Sequence, residues 1–242
     1  MIKVLSIILA TLLSGYIVAA SLFLADRKQV SPCVGVQIVV RDSLDKHFIN
    51  EADLAQILRK AGLDPMKHRM DEINTEKIEA ALQENDMIAK VEAYKTPSGR
   101  IKLEVEQKMP ILRVMTADGG YYIDNQGSTM ALSRRYVARV PIANGAIEKE
   151  LSTTELYEFA LFLQNNDFWN NQIEQIFVHP DGDVELIPRV GNHRIILGSF
   201  DGFREKLDNL RLFYEQAIPK VGWEKYSIIN LKYKNQIVCT KR

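Results

Sequence analysis

An uninterrupted apolar run from Val4 to Leu24, preceded only by Met1, Ile2 and Lys3, constrains this chain more than any other feature. Its 21 residues rise roughly 31 Å as a helix, at about 1.5 Å each, which matches a bilayer's hydrocarbon core and exceeds the apolar region of a usual signal peptide. The rival reading is a cleaved signal with Val18 and Ala20 before Ser21. Against it, Leu22-Phe23-Leu24 continue the run and Asp26-Arg27-Lys28 then close it as a stop-transfer edge does. The expectation is a start over 1–3, a transmembrane helix over 4–24 and a tether over 25–32. Lys3 and the amino terminus stand on one side, Arg27 and Lys28 on the other, so charge leaves the orientation open.

Beyond the tether the sequence is that of ordinary folded domains. Its 31 basic and 31 acidic residues cancel, which denies the chain the basic footprint of a nucleic-acid binder. Cys33 and Cys239 are too few for a disulfide framework. One opens the first predicted domain and the other lies on the last predicted strand, so no bridge between them is expected. The histidines His47, His68, His179 and His193 show no metal-binding spacing, and no nucleophile elbow, glycine-rich phosphate loop or S-x-x-K stretch appears. His179-Pro180-Asp181-Gly182-Asp183 has the look of a calcium loop but lacks its further ligands; a hairpin turn explains the same residues. No catalytic residue, metal site or cofactor is assigned.

The β-branched run Val34 to Val40 predicts a strand. Asn50 with Asp53 three residues on, flanked by Ile49 and Leu54, then predicts a capped helix ending before Gly62. A second helix starts at Asn74. Ala89 to Lys95 and Arg100 to Glu106 follow as a hairpin across Thr96-Pro97-Ser98-Gly99, with Ile101, Leu103 and Val105 on the buried face. This β-α-α-β-β order predicts a compact α+β domain over 33–109. From Pro110 to Arg242 the pattern shifts to short strands with close turns, interrupted by two helices near Ser152–Asn165 and Gly202–Ile218, which predicts a mostly antiparallel β domain. Val140-Pro141-Ile142-Ala143-Asn144-Gly145 suits either core packing or an edge or crossing segment, because its proline removes a ladder donor. At the end, Lys234-Asn235 reads as a two-residue turn and Gln236 to Thr240 as a last strand at a sheet edge.

Taken in order, several segments carry a resemblance: Val34 to Val40 with Phe48-Ile49-Asn50, Val105 to Pro110, Tyr122-Ile123-Asp124-Asn125-Gln126-Gly127, Val140 to Gly145, and Ile229-Asn230-Leu231-Lys232-Tyr233. The arrangement resembles the FtsQ/DivIB family of bacterial cell-division proteins, with one span, a POTRA domain and then a β domain. Where that family commonly has Asp-Leu-Arg-Tyr, this chain has Asn230-Leu231-Lys232-Tyr233. The resemblance implies a non-enzymatic divisome scaffold of the inner membrane, the bulk of the chain periplasmic and at the septum, which binds the FtsB/DivIC and FtsL homologues and other divisome proteins. It also implies partner binding at the chain's end, through Tyr233, Asn235, Gln236, Ile237, Val238, Cys239 and Thr240. The alternatives are a POTRA-bearing component of envelope assembly or secretion, and a tethered envelope enzyme.

Replacing Ile8 and Leu12 with Asp is expected to add about 2.5–3.5 kcal/mol each near the middle of a span. The double variant should leave the membrane fraction on alkaline extraction; retention there would refute the spanning helix.

Overall fold

The computed structural model describes residues 12–21, 31–41, 48–117 and 119–242. Residues 12–21 are helical, and Leu12, Leu13, Tyr16, Ile17 and Val18 are each more than half exposed. The rest of the predicted span, at 4–11 and 22–24, and the tether up to Val30 lie outside the described residues. Among the described residues no helix is long and apolar enough to cross a membrane. The remainder forms two compact units, residues 31–41 with 49–106 in one, and Phe48 with Gln107–Arg242 in the other.

The first unit has the expected β-α-α-β-β order. Strand β1 (Gly35–Arg41) leads to helix α1 (Glu51–Lys60), a 3-10 turn at Pro65–Lys67, helix α2 (Thr75–Gln83) and the hairpin β2 (Ile88–Lys95) and β3 (Arg100–Gln107). Helix α1 starts where its sequence dictates: Asn50 Oδ1 accepts from the Asp53 N–H at 2.9 Å and Asp53 Oδ2 accepts from the Asn50 N–H at 3.0 Å, satisfying two otherwise orphan donors. Asn74 caps α2 in the same way through the Lys77 N–H. The sheet order is β1-β3-β2, with β1 parallel to β3. Ile101, Leu103 and Val105 of the central strand are fully buried and meet Leu54, Leu58, Ile78 and Leu82 of the helices. On the opposite face Glu104 gathers Lys102 (2.7 Å), Arg41 and Tyr94 (2.8 Å), in that order of effect, and they hold its carboxyl down at about 2. These contacts join all three strands, but in water they serve register more than stability.

The second unit is built on one nine-stranded sheet, ordered β12-β11-β10-β9-β8-β7-β4-β5-β6. Its strands are β4 (Pro110–Val114), β5 (Tyr121–Asp124), β6 (Thr129–Ala131), β7 (Ile142–Gly145), β8 (Ile173–Val178), β9 (Val184–Pro188), β10 (Arg194–Gly198), β11 (Tyr226–Asn230) and β12 (Val238–Lys241). Five junctions are antiparallel and three, β4/β7, β7/β8 and β10/β11, are parallel. Helices α4 (Glu155–Gln164) and α6 (Phe203–Gln216) share one core with the sheet, through Leu156, Phe159, Leu163, Phe203, Leu207 and Leu210.

Two expectations need correction and one open alternative is decided. Instead of two helices, the described residues hold five helical segments after Pro110: α3 (Lys149–Thr153), α4, α5 (Asp167–Gln172), α6 and α7 (Ile218–Val221). The first expected helix breaks at Thr154, whose φ of −119° and ψ of −102° are not helical, and α5 has its own cap from Asn166 Oδ1 to the Trp169 N–H. Secondly, the two readings left open for Val140 to Gly145 resolve to core packing: β7 lies inside the sheet between β4 and β8, with Ala143 buried. Pro141 precedes the strand and costs it no donor, while its carbonyl accepts the Arg113 N–H at 3.0 Å. Thirdly, the last strand is Val238–Lys241, so Gln236 and Ile237 belong to the preceding connection.

Gly145 closes β7 at φ +101°, and a Cβ there would meet the Val178 carbonyl oxygen at 2.1 Å. The clash is with backbone that also accepts the Ala146 N–H, so neither side can yield. Gly145→Ala is expected to lower the stability of this unit by at least about 1–3 kcal/mol in denaturant titration.

Candidate functional site: the outer edge of the last strand

Strand β11 enters the sheet beside β10, with Ile229 opposite Ile195, and ends at Asn230. Two contacts cause that end. The Leu231 N–H still reaches the Ile196 carbonyl at 2.8 Å, while Asn230 Oδ1 accepts from the Lys232 N–H at 2.9 Å and turns the chain away. The connection then runs through Tyr233 to Ile237. Asn235 reverses it at φ +59°, the one non-glycine residue with positive φ among the described residues. The reversal at Asn235 is where the sequence places it, although the loop around it is longer than two residues.

Strand β12 pairs antiparallel with β11, Val238 opposite Asn230, Cys239 opposite Ile229 and Thr240 opposite Ile228, and it is the terminal strand of the sheet. Its side chains alternate. Ile237 and Cys239 are half-buried against the core, and Val238 and Thr240 are exposed. The Arg242 N–H points inward to the Lys225 carbonyl at 3.2 Å, and the Ser227 hydroxyl donates to the Thr240 carbonyl at 3.3 Å. Alternation along an extended chain then turns the backbone groups of Val238 and Thr240 toward β11 and those of Cys239, with the Lys241 N–H, outward, while the Lys241 carbonyl accepts from the Ser227 hydroxyl at 3.5 Å. No described strand lies beyond them. Of the residues singled out from sequence, Tyr233, Asn235 and Gln236 form the exposed turn, and Ile237, Val238, Cys239 and Thr240 lead into and make the strand. Lys241, with its outward N–H, extends the site by a residue that the sequence reading missed.

Beside the turn lies a cleft of about 190 Å³, walled by Asp201, Glu205 and Lys206 at the start of α6 and by Tyr233, Lys234 and Ile237. Lys232 does not face this cleft as a free cation. Its stem crosses Gly198, where a Cβ would sit 2.9 Å from Lys232 Cγ, and its Nζ lies 2.5 Å from Asp183 Oδ2, which raises its pKa. Asp183 belongs to the β8–β9 connection, where the His179 N–H bonds the Asp183 carbonyl at 2.8 Å, so the His179–Asp183 stretch is a hairpin turn. Burial raises the Cys239 pKa, and both cysteines are free thiols. A thiol on this strand is packing material rather than a nucleophile.

At the far end of β12 the Arg242 guanidinium bonds the Asn192 carbonyl at 2.6 Å and pairs with the Glu224 carboxylate. Next to these anchors His193 is buried, stacked on Trp223 at 5.8 Å and 13°, with Nε2 2.7 Å from the Tyr214 hydroxyl. Burial chiefly, and then the Arg242 charge, lower the His193 pKa from 6.5, against a weaker opposite pull from Glu224. As pH falls through 6.5 the unfolded chain takes up a proton that the folded unit refuses. Stability is therefore full above that value and declines below it, toward the lowered folded pKa. His193→Gln should flatten the fall in melting temperature between about pH 7.5 and about pH 5.5 that the unaltered protein shows; an unchanged slope would refute the assignment.

The family model described as "FtsQ/DivIB, C-terminal related" matches residues 109–240, the stretch that contains this edge, and a POTRA-like domain matches residues 31–106. Over 203 residues the chain is 26% identical to a Rhodothermus marinus protein named "Cell division protein FtsQ", an alignment that covers 78% of this chain and 72% of that one.

Proposed function

This chain belongs to the FtsQ/DivIB family, and from that premise we propose that it is a non-enzymatic scaffold of bacterial septal division whose β12 edge accepts a strand from the FtsB/DivIC–FtsL subcomplex. The observation that carries this reading is the place of β12: it is the outermost described strand of the larger sheet, with the backbone groups of Cys239 and the N–H of Lys241 turned away from their own domain. An arriving strand pairs with those groups, and each bond contributes about 0.5–1.5 kcal/mol net. Val238 and Tyr233, 43% and 52% exposed, flank them as side-chain contacts. The unit over 31–106 then serves other divisome proteins. The apolar run over 4–24, of which residues 12–21 are helical, supports anchoring in the inner membrane, and family membership alone supports an orientation with both units outside the cytoplasm.

Proline fits an edge strand when its missing N–H faces outward, so Lys241→Pro removes one docking donor and leaves the pairing to β11. It should weaken binding of the FtsB/FtsL homologues by up to about tenfold, while Lys241→Thr binds as the unaltered chain does. Cys239→Pro, once shown to be folded by circular dichroism, should do the same. If both folded proline variants bind with unchanged affinity in calorimetry, the edge is not the docking site.

A further inference from the structure

Strand β12 is four residues long and pairs on one side only, so what holds its outer end decides how often the edge is ready. At one end the chain is fixed by the reversal at Asn235 and by Ile237, half-buried on the core. The last paired residue of the ladder is Lys241. There Arg242 ties the strand to two other segments at once, by its Nη2 to the Asn192 carbonyl, by its Nη1 to Glu224, and by its backbone N–H to the Lys225 carbonyl. Those anchors are themselves immobilised, because Asn192 precedes His193 and Glu224 follows Trp223, and the His193 and Trp223 rings stack. Only arginine's planar fork reaches a carboxylate and a carbonyl from one stem.

We propose that Arg242 is the positioning residue of the β12 edge, a role that rests on the docking reading above: its clasp keeps the strand ordered and straight so that a partner strand meets a ready template. An exposed ion pair does little for the global stability of a domain. Local opening of an edge strand is another matter, since it costs far less than unfolding, and a modest contact then sets the ordered fraction. A partner strand binds only that fraction, and its apparent affinity falls in proportion. If the freed strand is ordered about one tenth of the time, binding weakens about tenfold with no contact to the partner lost.

The test uses the full chain in detergent, with the FtsB/FtsL homologue complex as probe. Arg242→Gln should speed hydrogen exchange at the Val238 and Thr240 amides, leave the midpoint of global unfolding in place, and weaken binding up to about tenfold. Arg242→Lys, which restores the charge opposite Glu224 without the second arm to Asn192, should fall between the two. If Lys241→Pro weakens binding as expected while Arg242→Gln neither speeds exchange in β12 nor weakens binding, the positioning role is wrong and the docking reading stands. If the folded proline variants bind like the unaltered chain, docking at this edge falls, and the positioning role with it.

Discussion

One row of apolar side chains crosses the larger sheet from Val114 through Ala143, Ile176, Leu186, Ile195 and Ile229 to Cys239, each directly opposite the next on the neighbouring strand. Residues that face one another across a ladder share a side of the sheet, so this row is the floor of the core on which α4 and α6 rest. A slip of one residue in any strand would turn its member to solvent and forfeit roughly 1.5–3 kcal/mol for each large side chain. The three parallel junctions are the topological cost of keeping the row unbroken. Parallel neighbours need a crossover, and the chain supplies α3 to α5 between β7 and β8, and α6 and α7 between β10 and β11. At Cys239 the row reaches the sheet's margin and is only half covered.

What was legible in the sequence is what short-range chemistry decides. The Asn50–Asp53 box, the Asn74 cap, the alternation of Ile101, Leu103 and Val105, and the reversal at Asn235 all lie where local patterns place them. What escaped depends on partners distant in the chain. Nothing in Ile142-Ala143-Asn144-Gly145 announces that β4 and β8 will flank it, and Pro141 left core and edge both open because a proline just before a strand reads like one inside it. The break at Thr154 falls in Ser152-Thr153-Thr154, weak helix formers that read as the start of one helix as easily as the joint between two, and α5, rich in Asn, offers only its Asn166 cap as a signal. At the candidate site the turn was readable. The inward and outward facing of its backbone was not, because one contact 17 residues away in sequence, Arg242 to Lys225, sets the phase of the alternation.

An unpaired strand edge invites any extended segment, including that of a second copy, and this one carries its own guards. It is four residues long, bears Lys241 with Lys234 and Arg242 close by, and faces a partner strand that is bulged between Tyr226 and Ile228. Short length, positive charge and a local increase in twist each disfavour like-with-like pairing. A segment that carries acidic groups opposite those lysines escapes the penalty that another copy of this edge would meet.

The parallel seating of β11 against β10 has one more consequence. Strand β11 has no neighbour on its inner side except β10, and the chain between the two strands includes the 14-residue helix α6, which packs across the row. Among the described residues strand β12 in turn has no neighbour but β11. The edge therefore cannot exist on a chain whose last third is still unstructured, because its ladder rests on the long-range pairing of Arg194 with Ile228. A surface of this kind reports maturity: whatever reads it reads a finished molecule.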